Sequence, residues 1–387
     1  MDAVTLAAAG AAWLGLGAAA YHFIGYPLLV ILLAALRGRQ QPGRAPTSLP
    51  SVAMVIAAYN EERVIAAKLR NCLQLDYPPE LLSIVVVADG SSDSTADRVL
   101  AFGHDRVTCL FDPVRRGKGH ALNRAVATVQ ADVVVLSDAN NDYSVDAIRL
   151  LVASLGQPGV AGVSGAKRIV ASRERAASGG DGLYWKYESR IKAAESRLGG
   201  TVTADGEIFA LRRDAYTPIP PGVVNDDLFL TLRIVERGGA VVYEPRATAT
   251  EEASLTMIED YRTKVRMIAG GLQDLRREWR AICSSASFAF KFISHKLLRW
   301  TMPLFLTLAL AGSAIAASSS SALRLLLVAQ LGFYALAIVG WGLNRMGVRP
   351  APVYVPFYFL LMNVAAVAAM VRCFRGGQST LWTKAAR

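Results

Sequence analysis

The chain has 387 residues, room for one large or two modest domains, and is 53% hydrophobic against 19% charged, which is apolar for a soluble protein. A net charge of +11 raises nucleic acid as a partner, but no zinc-ligand spacing or RNA-binding aromatic signature accompanies it, and much of the basic charge flanks apolar runs. Anionic lipid headgroups and a phosphate-bearing substrate account for that charge, so nucleic acid is set aside. Cys72, Cys109, Cys283 and Cys373 form no CxxC pair and read as reduced residues of a cytoplasmic domain.

Positions 3–36 carry no charged side chain. A bilayer core needs roughly 20 apolar residues in a helix, so residues 1–36 read as a transmembrane anchor. A cleaved signal peptide would need a basic leading region, which is missing here. Arg37, Arg39 and Arg44 follow at once; basic residues mark the cytoplasmic side of a span, which places residues 37–299 in the cytoplasm. The Pro/Gly/Arg-rich stretch 37–50 is a linker.

Residues 51–280 then alternate strand and helix. Ser51-Val-Ala-Met-Val-Ile-Ala57 is a buried-strand run, followed by a helix opening at Tyr59-Asn-Glu-Glu62 and reaching about Gln74. Residues 83–88 form a second strand ending at Asp89-Gly-Ser-Ser-Asp93, before a helix over 94–102. Residues 107–111 and 132–137 are further strands, each with a helix behind it, over 117–130 and 144–154. Continuous apolar strands alternating with helices predict an α/β fold whose central sheet is mostly parallel and covered on both faces. Ligands of such sheets bind beyond the carboxyl ends of the strands. Polar clusters stand at that place three times: Tyr59/Asn60/Glu61, Asp89/Asp93 and Asp138/Asn140. One such aspartate is an ordinary helix cap; three clusters point to a site. No GxGxxG, Walker lysine loop or GxSxG elbow is present, which removes the dinucleotide, P-loop and serine-hydrolase readings.

Lys291, His295, Lys296 and Arg299 make 281–299 an interfacial amphipathic segment. Three uncharged runs follow, over 300–323, 325–344 and 350–371, and define a C-terminal transmembrane cluster at 300–372 with a basic tail at 373–387. Three spans would put Arg372, Arg375, Lys384 and Arg387 outside, against the charge rule. Either one late segment is re-entrant or the rule fails here. Pro350, Pro352 and Pro356 single out the last segment as the one to be broken.

Six pieces, in order, resemble the family 2 glycosyltransferases, an inverting group with the GT-A fold. They are Ala58-Tyr-Asn-Glu-Glu62, Val87-Ala-Asp-Gly-Ser-Ser-Asp-Ser-Thr95, Arg116-Gly-Lys-Gly-His-Ala-Leu-Asn123, Ser137-Asp-Ala-Asn140, Ala204-Asp-Gly-Glu207 and Asn225-Asp-Asp-Leu228. The apolar ends resemble the membrane branch that includes cellulose, chitin, hyaluronan and poly-N-acetylglucosamine synthases. The resemblance implies a nucleotide-diphosphate sugar donor, usually a UDP-sugar, with Mg²⁺ or Mn²⁺. It places Tyr59, Asn60 and Glu61 at the base and ribose, Asp89 at the uracil, and Lys118, Arg262 and Arg266 at the diphosphate. It gives the metal to Asp138 and Asn140, with Asp142 nearby as a substitute or a helix cap. Asp227 would be the general base, its partner Asp226 raising its pKa. Asp205 and Gly206 would lie where acceptor meets donor. Trp185 and Tyr187 would either pack an acceptor sugar or seat an interfacial helix.

Two departures from the family stand out. The Gln-x-x-Arg-Trp segment of processive members becomes Thr263-Lys-Val-Arg-Met267, losing a stacking platform for a growing chain. Asn140 stands where a second carboxylate is expected, and its amide carbonyl brings no charge. The expected function is sugar transfer to a lipid or glycan hydroxyl at the cytoplasmic membrane face, in exopolysaccharide or glycolipid synthesis, by polymerisation or by single addition. The partners are membrane lipids and either a second copy or subunits of a polysaccharide complex. The competing class is a degenerate transferase serving as a scaffold of such a complex.

Overall fold

The computed structural model describes residues 2–38, 48–170, 179–252, 256–376 and 378–379. Most of the expected linker and most of the basic tail lie outside the described residues. Helix α1 (Ala3–Ala20) passes through a π-helical turn at Tyr21–Gly25 into α2 (Tyr26–Leu36). The α/β unit follows as β1 (Val52–Ala58), α3 (Ile65–Leu73), β2 (Leu82–Asp89), α4 (Thr95–Leu100), β3 (Val107–Asp112), α5 (Lys118–Thr128) and β4 (Val133–Asp138). It continues through β5 (Asn141–Tyr143), α6 (Ala147–Leu155), β6 (Val160–Val170), α7 (Gly179–Arg197) and β7 (Ile208–Arg212). Helix α8 (Asp226–Glu236), β8 (Ala240–Glu252) and α9 (Met257–Cys283) complete it. The chain ends in α10 (Ala286–Phe292), α11 (Leu298–Ala316), α12 (Ser321–Arg345) and α13 (Ala351–Phe374).

The eight strands form one sheet in the order β3-β2-β1-β4-β7-β6-β8-β5. Four of its seven pairings are parallel (β1 with β2 and β4, β2 with β3, β6 with β8), and three are antiparallel. The parallel half came through in the sequence because its strands are covered on both sides. Met54, Ile56, Ile84 and Val86 face Ile65, Leu69, Ile148 and Leu151 on one layer. Their alternates Val55, Val85, Val87, Val134 and Leu136 face Leu122, Phe209, Phe229 and Leu230 on the other. With β1 register-aligned to both β2 and β4, their carboxyl ends, Ala58, Asp89 and Asp138, open on the same edge.

The first helix of this unit starts later than its sequence suggests, at Ile65 instead of Tyr59. Asn60 takes a positive φ of 55°, a conformation asparagine tolerates better than most side chains. The Glu61 and Glu62 backbone N–H groups donate to Thr95 Oγ1 (2.8 Å) and Asp93 Oδ2 (3.1 Å), so residues 59–62 tie the β1 and β2 loops together.

Four helical stretches are long and apolar enough to cross a membrane: Ala3–Leu36, Ala286–Ala316, Ser321–Arg345 and Ala351–Phe374. Ser285 caps a helix that runs through a π turn at Ile293–Leu297 straight into α11, with no glycine or proline between. The last segment is unbroken: Pro350 caps α13, Pro352 sits in the first turn where its missing N–H costs nothing, and Pro356 interrupts only one bond of the ladder.

The first candidate span packs on α11 through small residues. Ala12 and Ala309 are fully buried, and a Cβ added at Gly312 would overlap the Ala8 carbonyl oxygen and the Ala12 backbone nitrogen. Small residues are what let two span helices approach this closely. Substituting Gly312→Val is expected to cost about 1–3 kcal/mol through overpacking, read as a lower melting temperature of the detergent-purified chain; Gly332→Val, at a position open to its surroundings, is the control and leaves it unchanged.

Candidate active site

The strand ends are closed from below by buried side chains. Asp89 is 4% exposed and spends its carboxylate on the loop before α5, accepting from the Arg116 N–H (3.0 Å) and the Gly117 N–H (2.7 Å). Gly117 needs its φ of 97° to present that N–H and turn the chain into α5. Asp89 therefore positions the loop that carries Lys118, a role the sequence did not disclose. Tyr59 lies under the guanidinium of Arg115 from the same loop, 3.6 Å from its ring centroid. Asn60 holds the β2 loop, accepting the Ser92 N–H at 2.9 Å.

Lys118 joins three elements. As the first residue of α5, it reaches Asp138 Oδ1 at the end of β4 (2.9 Å) and Asp226 Oδ2 at the start of α8 (3.4 Å). Burial opposes its charge, but the two carboxylates outweigh that and hold the ammonium above its ordinary range. Asp227 is the next residue of α8, half-buried, and accepts its neighbour's backbone N–H from Leu228 (2.8 Å). Burial, reinforced by Asp226, pushes Asp227 up to about 6, while Lys118 pulls the other way. The Gly206 backbone passes beside this pair; a Cβ there would lie 3.5 Å from both Asp227 Cβ and Lys118 Nζ.

Asp205 and Gly206 thus come together with Lys118, Asp226 and Asp227. A buried ion pair from α7, Lys192 Nζ to Asp205 Oδ1 at 2.6 Å, holds Asp205. Arg266 faces the cluster from α9: burial lowers its pKa, and Asp138, Asp226 and Asp227 oppose that. Arg262, one turn earlier, is exposed. Trp185 stands between two ammonium groups, Lys167 and Lys264, each 5.6 Å from its ring centroid. Tyr187 donates to the Phe23 carbonyl (3.1 Å) and so seats α7 on the first span.

Sequence reading missed the next layer. Lys167 pairs with Glu207 and Glu251, and burial pushes Glu207 up to about 7 against that pairing. Asn140 turns its amide nitrogen to Glu251 Oε2 (3.3 Å). Beneath it the buried Lys68 of α3 donates to Asn141 Oδ1 (2.6 Å) and to its carbonyl (2.9 Å), fixing the turn after Asp138. Helix α7 carries Glu188, Lys192 and Glu195 at helical spacing on one face. All three are buried. Glu195 accepts from Tyr26 (2.5 Å) and pairs with His295 Nδ1 (2.8 Å); Glu188 pairs with His295 Nε2 (3.1 Å) and Arg299 (2.8 Å). The spacing of 188, 192 and 195 was the available signal.

Among the described residues no three His, Cys, Asp or Glu side chains converge as a metal cage. The side chain of Asp138 is 34% exposed and offers a hard oxygen at the strand end. Mg²⁺ is commonly held by one or two carboxylates with substrate phosphates and water completing the shell. Asp138, with the Asn140 carbonyl as its neighbour, fits an ion that arrives with a diphosphate.

A mixed sheet with three strand-end polar clusters, a lysine before the third and an aspartate pair after it is the arrangement of a glycosyltransferase of the GT-A type. The description "Glycosyltransferase like family 2" matches residues 50–271, and the chain belongs to that family. It is 25% identical over 248 residues to a poly-β-1,6-N-acetyl-D-glucosamine synthase of Staphylococcus aureus, covering 62% of this chain and 59% of that one. The corresponding synthase of Staphylococcus epidermidis is 26% identical over 240 residues, covering 60% and 57%. The matches thus span less than two thirds of those relatives. A mannosyltransferase from Pyrobaculum calidifontis, solved with GDP-mannose and Mn²⁺, superposes with a TM-score of 0.73 at 25% identity, over 94% of this chain and 99% of that one.

Lys192 tests how the site floor is held. Removing one partner of a buried pair typically costs about 3–5 kcal/mol, so Lys192→Met is expected to lower the melting temperature strongly. The double variant Lys192→Met/Asp205→Asn recovers part of that loss.

Proposed function

We propose that the chain is an inverting glycosyltransferase that moves a sugar from a nucleotide-diphosphate donor, a UDP-sugar first, to the hydroxyl of a lipid or glycan acceptor at the cytoplasmic face of a membrane. The observation that carries this reading is the Asp226–Asp227 pair at the mouth of α8, beside Lys118 and the Gly206 backbone. Nucleobase and ribose lie against Tyr59, Asn60 and Glu61, with Asp89 at the uracil while it secures the neighbouring loop of Lys118. Lys118 and Arg266 bind the diphosphate oxygens, and Arg262 guards their approach. Asp138 and Asn140 hold Mg²⁺ or Mn²⁺, which when bound neutralises charge on the leaving diphosphate.

Asp227 takes the proton from the acceptor hydroxyl as that oxygen bonds to the anomeric carbon. The bond from that carbon to the diphosphate oxygen breaks on the opposite face, so configuration inverts and the nucleoside diphosphate departs. A carboxyl near pH 6 is unprotonated yet basic enough at neutral pH to serve. Asp226 and the buried surroundings set that value, and Asp205 with Trp185 lines the acceptor side. Single addition and polymerisation share this chemistry. Met267 in place of the stacking tryptophan, and four candidate spans, favour single addition to a lipid-linked acceptor. The similarity to poly-N-acetylglucosamine synthases supports an exopolysaccharide product.

Two measurements follow. Nucleotide release from a panel of UDP- and GDP-sugars should require Mg²⁺ or Mn²⁺, stop with EDTA and return on metal addition. A ladder of product lengths would overturn single addition, and no release with any donor would favour a scaffold. Asp227→Asn should lower the rate by ~10²–10⁴-fold. In the unsubstituted protein kcat/KM should fall as pH drops through about 6, because the base is then protonated.

A further inference from the structure

Helix α9 bears on the catalytic helix along one face. The Met267 carbonyl accepts from Asn225 Nδ2 (2.8 Å), and a Cβ at Gly270 would meet Val224 and, at 3.2 Å, Asn225 Oδ1. One turn further, Asp274 is 2% exposed and faces the Asn225 backbone N–H at the N-terminus of α8. Its Oδ2 has no hydrogen-bond partner. A further turn on, Glu278 is 3% exposed and pairs with Arg233 of α8 (2.7 Å) and, more distantly, Arg277 (3.9 Å). Positions 267, 270 and 274 follow helical spacing and Glu278 comes at a kink, so α9 is a strut against the N-terminus of α8 and, at Arg233, its last turn. Asp274 is the member of that strut whose charge has no cation in bonding contact among the described residues.

We propose that Asp274 is a positioning residue that holds the catalytic turn of α8 as a neutral acid and gives the enzyme its alkaline limit. The groups that face it are Asp227 from α8 and Glu278 and Arg277 from α9. Burial pushes its carboxyl up to about 8, and the negative charges of Asp227 and Glu278 add to that against Arg277. Neutral, it meets the Asn225 N–H without adding charge to the pair beside it. Ionised, it adds a carboxylate that repels Asp227 and Glu278 and pushes the α8 turn away from α9. The inference rests on the proposed transferase reading for its kinetic part only.

The sign of the stability effect follows from burial of the neutral form. In the unfolded chain an aspartate ionises near its ordinary pKa of about 3.9, whereas here it stays neutral until about 8. The residue therefore costs stability that grows as pH rises between those values and levels off above them. Asp274→Asn, close in shape and always neutral, removes that growing cost.

The test uses the full chain in detergent. The melting temperature of Asp274→Asn minus that of the unsubstituted protein should rise between pH 5 and pH 8 and be level above. Release of nucleotide, with the best donor and Mn²⁺, should decline above pH 8 in the unsubstituted protein and persist to higher pH in the variant, with little change at pH 7. Asp274→Leu, which cannot accept the Asn225 N–H, should lose rate at all pH values. A pH-independent melting difference, or an alkaline limb left in place by Asp274→Asn, overturns the proposal. If the unsubstituted protein releases no nucleotide, the transferase reading fails, and the melting series alone decides the role of Asp274.

Discussion

The contact on which the site depends is the one between the Lys118 ammonium and the carboxylates of Asp138 and Asp226. The first residue of one helix, the last of a strand and the first of another helix meet there, and none is a neighbour of the others in sequence. Two carboxylates at the ends of separate elements would repel in a half-dry cleft; one buried cation makes their approach favourable. Asp227 then inherits its environment, since its neighbour's charge and the same burial set its basicity.

The layers behind that contact show a division of labour. Lys118, Asp138 and Asp227 at the cleft are partly exposed, while the groups that fix them are buried and paired. Asp89 secures the loop of Lys118, Lys68 the turn of Asp138, and Lys192 the position of Asp205. Burying a charge costs several kcal/mol unless a partner compensates it, and here nearly every buried charge has one. The family match at residues 50–271 contains these supports, but the ones furthest from the cleft reach past it to His295 and Arg299.

The parallel half of the sheet and its three polar clusters were legible because two-sided burial writes a strand as an unbroken apolar run. The antiparallel half was not read as strands. Strand β7 is only five residues long, and β8 contains Pro245 and Arg246 within its run. Pairings such as Lys192 with Asp205, or Lys118 with Asp226, depend on the return path of the sheet and leave no periodic trace. The charged stripe of α7 was not singled out for a physical reason: helical spacing shows that residues share a face but not what covers it. Asp89 and Asp138 look alike in sequence, each ending a strand; the loop N–H groups aimed at Asp89 separate a carboxylate that props a loop from one that meets Lys118 at the cleft.

Glu195 carries a consequence for how the molecule is made. Tyr26 of the first span reaches it from one side and His295 from the other. As the chain is synthesised, Tyr26 waits for about half of the protein to appear before its partner exists. That partner remains incompletely satisfied until a further hundred residues, and a second apolar helix, have followed. The middle of the chain is thus sealed by its two flanks, the earlier one kept in reserve and the later one closing the joint. Docking of the two apolar flanks and completion of the polar joint around Glu195 therefore go together.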